Sequence, residues 1–320
     1  MLPDFFIQEL QKDYGADAVE AVRSGVSERR VTSLRVNTLL SSADEVCAVL
    51  TEAGIDFQPV PWFADAFVLP NAQVSDLWEL DIYKQGKIYL QSLSSMLPAL
   101  AIAPQAGEDV LDMCAAPGGK TTLMAALRGG GRGITACELH APRAEKLQHN
   151  LQKQGVTNVN VMCTDARRLD SWFSFDKVLL DAPCSGSGTI WMDDPKLEKR
   201  FNTGLLAKVR KQQTALLSKA LEVVKPGGYL LYSTCSVLKC ENEEQVNAAL
   251  KKASKNGSYK FVPLKLAGAE FADATQMGES GAATCADVIP TLPSTIDEAL
   301  TVCPTRYYEG FFACIIMRIS

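Results

Sequence analysis

The chain has 320 residues, enough for two domains or one large one, and 47% hydrophobic with 22% charged residues is the composition of a packed globular protein, not a disordered one. No apolar run reaches the roughly 18 residues that span a bilayer, and the opening Met-Leu-Pro-Asp has an early acid and no basic stretch, so no membrane span, signal peptide or transit peptide is expected and a cytoplasmic setting follows. A net charge of −5 leaves any contact with nucleic acid to local clusters, and only two histidines, His140 and His149, argue against a His-built metal site or a Ser-His-Asp triad.

Residues 1–85 read as a small N-terminal α/β domain. Helices are predicted over Pro3–Tyr14 and from Asp17, followed by an alternating strand over Thr32–Thr38. Ser41-Ser-Ala-Asp44 resembles a helix cap before Glu45–Ala53, and Phe67-Val-Leu69 reads as a second strand. Residues 86–320 form the larger domain. From about residue 106 strands and helices alternate. The strand candidates are Asp109–Cys114, Gly133–Glu138, Asn158–Cys163, Lys177–Asp181 and Gly228–Thr234, with helices over Lys120–Leu127, Pro142–Gln154 and Leu205–Val224. Near-continuous apolar strands alternating with helices imply an α/β fold with a parallel sheet covered on both faces. Lys260–Leu264 and Gly310–Arg318 close the series, and residues 265–306, without a clear period, read as a loop insertion.

In such a sheet ligands bind beyond the carboxyl ends of the strands. The first strand runs into Cys114-Ala115-Ala116-Pro117-Gly118-Gly119-Lys120, a glycine-rich turn that opens a helix. Its spacing is neither the Walker A nor the Gly-x-Gly-x-x-Gly pattern, so phosphate is not favoured over a carboxylate-bearing ligand. The next strands end at Glu138, placed to bind ribose hydroxyls, at Asp165, placed to bind an adenine amino group, and at Asp181. Cys184 and Cys235 follow two strand ends, which puts two thiols beside one ligand site. Of the 10 cysteines, Cys47, Cys137, Cys163 and Cys314 read as small core residues. No Cys-x-x-Cys occurs, and no metal site is expected. An adenosine cofactor with a short charged tail, a cysteine nucleophile and no histidine fit S-adenosyl-L-methionine and methylation at carbon. A thiolate that adds to C6 of a pyrimidine makes C5 nucleophilic.

Three segments, Asp112-Met-Cys-Ala-Ala-Pro-Gly-Gly-Lys-Thr121, Asp181-Ala-Pro-Cys-Ser-Gly186 and Ser233-Thr-Cys-Ser236, resemble the RNA cytosine-C5 methyltransferases of the Sun/Nop2 family. Leu34-Arg-Val-Asn-Thr38, Gln91-Ser-Leu-Ser-Ser95 and Gly310-Phe-Phe-Ala313 add to the resemblance, which covers nearly the whole chain. It implies a Rossmann-like class I methyltransferase domain, with a mostly parallel sheet of seven strands whose last strand is antiparallel. It implies Cys235 as nucleophile on C6, Cys184 assisting release, Asp181 bonding the cytosine, and Lys120 supporting the cofactor loop and cytosine site. Residues 114–120 would hold the methionine part of the cofactor. The partner would be RNA, ribosomal or transfer, bound by a monomer. On the sequence as it stands no additional RNA-binding domain is expected, so grip would depend on a partner protein or a folded target such as a ribosomal subunit. Arg29, Arg30, Arg35, Lys196, Lys199 and Arg200 are the candidates for RNA backbone contacts, the last three within a basic run that reaches Lys211. Residues 265–306 are expected to border the RNA cleft. The rival readings are a DNA cytosine-C5 methyltransferase using Cys184, a non-catalytic assembly factor that binds RNA and cofactor, and a dithiol redox protein.

Overall fold

The computed structural model describes residues 2–129, 133–276 and 286–320. Two amphipathic helices open the chain, α1 (Asp4–Tyr14) and α2 (Ala16–Ser27). Their apolar faces, including Phe6, Leu10, Val22 and Val26, pack with Leu197, Phe201, Val237 and Leu238 of the large domain. Phe6 meets Phe201 edge to face, with ring centroids 5.2 Å apart. The small domain proper is built on β1 (Thr32–Val36), α3 (Ala43–Glu52), β2 (Gln58–Val60) and β3 (Phe63–Leu69). Ser42 caps α3 by accepting from the Glu45 amide, as the sequence implied. The short helices α4 (Val74–Trp78) and α5 (Asp81–Lys84) lead to β4 (Ile88–Leu90). The antiparallel order β2-β3-β1-β4 makes a sheet over a core of Leu34, Val36, Val46, Leu50, Phe67 and Ile88. Because β4 lies past residue 85, the small sheet extends beyond the boundary expected there.

The large domain runs α6 (Leu93–Ile102), β5 (Val110–Asp112), α7 (Gly119–Arg128), β6 (Ile134–Glu138), α8 (Ala141–Lys153), β7 (Val159–Cys163) and β8 (Phe175–Asp181). It continues with α9 (Leu197–Arg200), α10 (Thr203–Val223), β9 (Val224–Thr234), α11 (Glu243–Ala253) and β10 (Tyr259–Val262). It ends with β11 (Glu270–Asp273), β12 (Val288–Leu292), β13 (Leu300–Val302) and β14 (Phe311–Arg318). Strands β7, β6, β5, β8 and β9 are parallel neighbours in that order. Alternate residues of each strand enter one of two cores. Leu179 and Leu231 pack with Leu123 and Leu147 of α7 and α8, whereas Val178 and Leu230 pack with Leu217 and Leu221 of α10. Since β6 and β8 leave β5 in opposite directions, a crevice opens at the carboxyl end of β5.

Beyond β9 the sheet differs from the expected seven strands. Among the described residues it has ten, because β14 pairs antiparallel with β9, β10 and β13, and β12 and β11 extend the edge. Residues 265–306 are therefore not simply a loop insertion. They contribute β11 to β13, and Ile289, Leu300 and Val302 are buried; residues 277–285 lie outside the described residues. Of the cysteines expected in the core, Cys137 and Cys314 are buried, Cys47 is half-buried and Cys163 is exposed at the end of an edge strand. Among the described residues no helix is long and apolar enough to cross a membrane, and no cluster of His, Cys, Asp or Glu could hold a metal ion.

Candidate active site

The turn after β5 is set by Gly118, whose φ of +110° favours glycine, and whose added Cβ would lie 2.9 Å from Leu147. α7 starts at the next residue and brings Lys120 inward. The Lys120 ammonium contacts Asp181 Oδ2 at 2.7 Å and Ser95 Oγ at 2.9 Å, while Ser233 Oγ donates to Asp181 Oδ1 at 2.8 Å. Burial works to lower the Lys120 pKa, but the charge and hydrogen bond of Asp181 outweigh it and hold the ammonium charged. The ends of β8 and β9 and the starts of α6 and α7 thus meet at one ion pair. Behind it, burial pushes the Asp112 carboxyl up to about 6, against the hydrogen bond from Thr121.

One cleft runs from this pair past Met113, Cys114 and Ala116 to Glu138, Asp165, Cys184 and Cys235. A second recess, lined by Tyr89, Gln91, Ser92, Pro117, Lys120 and Glu309, shares Cys114, Ala116 and Asp181 with the first. Glu138 is held by the His140 amide at 2.9 Å and by Arg143 at 3.3 Å, and Arg143 also donates to the Ala116 carbonyl. Asp165 caps a helical turn and takes a two-pronged bond from Arg167, which holds its carboxyl below the usual carboxylate range. Of residues 114–120 all but Gly118 border these two adjoining recesses, as do Glu138, Asp165 and Asp181.

The two thiols meet across the first of these recesses. Cys184 Sγ and Cys235 Sγ are 3.0 Å apart, and both are free cysteines. The hydrogen bond to Cys235, then burial, push the Cys184 thiol well up. The Gly188 amide donates to the Cys235 carbonyl at 3.0 Å, which ties the two cysteine loops together.

The predicted RNA contacts divide. Arg29, Lys196, Lys199 and Arg200 are exposed, with Arg200 paired to Asp194 at 3.1 Å. Arg35 is fully buried, donating to Gln91, Thr122 and the Gly119 carbonyl beneath Tyr89, so it joins the two domains and cannot reach a phosphate. Arg30 is half-buried and donates to the carbonyls of Gly188 and Thr189, which makes it a clamp on the Cys184 loop. Sequence reasoning passed over Ser95 and Ser233, the hydroxyls that fix the Lys120–Asp181 pair, although both lie in segments it quoted.

A family model described as 16S rRNA methyltransferase RsmB/F matches residues 99–316, the span that carries both thiols and the glycine-rich turn. The chain belongs to this family. A second model, the RsmF/B-like ferredoxin-like domain, matches residues 2–75, and in this family member α1 and α2 pack on the large domain. The human 28S rRNA (cytosine(4447)-C(5))-methyltransferase is 37% identical over 256 residues, 78% of this chain and 31% of that protein. Ribosomal RNA small subunit methyltransferase F of Shewanella amazonensis is 39% identical over 219 residues, 66% of this chain and 46% of that one. The chain spans between 31% and 52% of the length of such curated relatives. A solved methyltransferase homolog protein from Pyrococcus horikoshii is 31% identical, with a TM-score of 0.71 and 99% of each chain covered. NSun6 from Pyrococcus horikoshii with SFG superposes with a TM-score of 0.82 over 99% of this chain and 98% of that one; at 20% identity it speaks for the fold alone.

Proposed function

We propose that the protein transfers a methyl group from S-adenosylmethionine to C5 of a cytosine in RNA, ribosomal RNA foremost, through a covalent bond between Cys235 and C6. The observation that carries this reading is the 3.0 Å contact between Cys184 and Cys235 at the end of a cleft bordered by Glu138 and Asp165. The donor set of the cleft fits the cofactor: two carboxylates for ribose hydroxyls and an adenine amino group, between the apolar walls of Met113, Ala116 and Leu139. Residues 114–120 would hold its methionine end beside Lys120. When bound, the cofactor supplies a methyl group activated on a sulfonium.

The residues divide the work as follows. The Cys235 thiolate bonds to C6 as the C5–C6 π pair shifts to C4–C5 and the C4–N3 π pair moves onto N3, which leaves C5 the nucleophilic end of an enamine. Asp181, fixed by Lys120 and Ser233, accepts a hydrogen bond from the cytosine and keeps C5 in register. Cys184 lies in contact with the bond that must later break. Once C5 carries both hydrogen and methyl, a base takes the proton, the C5–C6 double bond reforms and Cys235 leaves as thiolate. Cys184, whose sulfur lies 3.0 Å from that of Cys235, is placed to assist this release. Such an enzyme acts on a single strand or a base turned out of a helix. The names of the relatives favour a ribosomal target.

Transfer of labelled methyl to separated ribosomal RNA, transfer RNA and DNA, followed by nucleoside analysis, tests the reading. 5-Methylcytidine in the ribosomal fraction is expected, and label only in DNA would overturn it. Cys184→Ala should leave an RNA-dependent band on a denaturing gel that Cys235→Ser abolishes. Loss of activity in Cys235→Ser with Cys184 intact also rejects a DNA-type assignment of the nucleophile to Cys184.

A further inference from the structure

Glu241 is wholly buried in the loop between β9 and α11, two residues before the helix begins, and no ion pair to it is found among the described residues. An isolated carboxylate in a protein interior is costly unless hydrogen bonds compensate it. Four donors do so here. The Ser185 amide (2.8 Å) and Gln213 Nε2 (3.1 Å) donate to Oε1; the hydroxyls of Ser185 (2.5 Å) and Ser236 (2.6 Å) donate to Oε2. Ser185 follows Cys184 and Ser236 follows Cys235. One carboxylate therefore grips the residue after each thiol. Gln213 also donates to the Pro183 carbonyl, just before Cys184, and the Tyr232 hydroxyl donates to the Glu241 carbonyl, just before the Cys235 loop.

We infer that Glu241 is a positioning residue, which holds the loops after β8 and β9 together so that the two thiols remain in contact during methyl transfer. The inference rests on the two-thiol reading of the site and adds a residue that touches neither base nor cofactor. Its chemistry suits the task. A carboxylate accepts from all four donors at once, whereas an amide of the same shape presents two N–H groups to two of them. The negative charge of Glu241 also lies among the influences that push the Cys184 thiol up, after Cys235 and burial.

Glu241→Gln, checked for folding and for unchanged affinity for S-adenosylmethionine, is the test. Methylation kcat should fall about 10- to 100-fold, the scale of a lost supporting contact, with KM for RNA and the cofactor dissociation constant within about twofold. A crystal structure of Glu241→Gln should show the two sulfur atoms separated beyond contact, which reads the positioning role without turnover. A folded variant with sulfurs still in contact, or with kcat unchanged, overturns the inference. If Glu241→Gln does not fold, Ser185→Ala and Ser236→Ala each remove one donor. Both should lower kcat without altering cofactor affinity, and wild-type kcat in both overturns the inference. Failure of the underlying reading looks different: wild-type protein would then form no 5-methylcytidine, whatever Glu241→Gln does to the sulfur contact.

Discussion

At the end of β5, Asp112 combines near-complete burial with a direct bond from Thr121 and a charged neighbour in Asp181. Its carboxyl is pushed up to about 6, first by burial. An unfolded aspartate ionises near 3.9. Between those two values the folded protein holds a proton that the unfolded chain has lost, so stability falls as pH rises through the window. From pH 5 to pH 7 that loss comes to about 1 kcal/mol. Asp112→Asn should remove this part of the slope, measured as the difference between denaturation free energies at the two pH values. An unchanged difference would show that Asp112 does not titrate there. The same residue shows what a sequence withholds. Asp112, Glu138, Asp165 and Asp181 all look alike as acids near strand ends, yet the first is buried behind the cleft and the others are paired to Arg143, Arg167 and Lys120 in turn. Glu241 was still less visible, because an acid in Glu241-Asn-Glu-Glu244 reads as the charged first turn of a helix.

The contact between the Cys184 loop and β14 leaves no room for a side chain. A Cβ on Gly188 would lie 1.9 Å from the Gly310 carbonyl oxygen, and the Gly310 amide donates to the Gly188 carbonyl at 2.8 Å. Both groups are backbone, so neither can turn aside. Gly188→Ala should cost about 1–3 kcal/mol in stability, the range for overpacking, and reduce methylation by more than the folded fraction explains. A thermal melt beside an initial-rate assay separates the two effects, and wild-type activity in the folded variant would show that the loop tolerates the shift. At this scale much was legible. The parallel strands and the helices between them fall within a few residues of their predicted bounds, because buried parallel strands carry long apolar runs and the helices carry clear periods. The short strands β11 and β13 were not, since three or four residues show no alternation. Nor was the docking of α1 and α2. Periodicity marks which face of a helix is apolar, not which domain covers it.

For the molecule as a whole, a net charge of −5 opposes a polyanion, so the proposed function requires a local patch to hold RNA. Lys196 and Lys199 are exposed around α9, a short distance along the chain from Cys184. Replacing both with Ala should weaken RNA binding without regard to sequence. It should also flatten the dependence of log affinity on log salt by about 1.4, given about 0.7 for each phosphate contact on a single strand. A salt titration of the double variant checks this, and an unchanged slope would move the interface elsewhere. Arg35 was expected to share in that interface, and its burial gives it another meaning. Its guanidinium reaches from the small sheet to the Gly119 carbonyl and the Thr122 hydroxyl on α7, while Tyr89 and Gln91 of the same unit border the recess beside Lys120. The small domain is thus one wall of the recess beside Lys120. Recombination that grafts a relative's first 90 residues onto this large domain would exchange that wall as well, so the two halves can be swapped only as a matched pair.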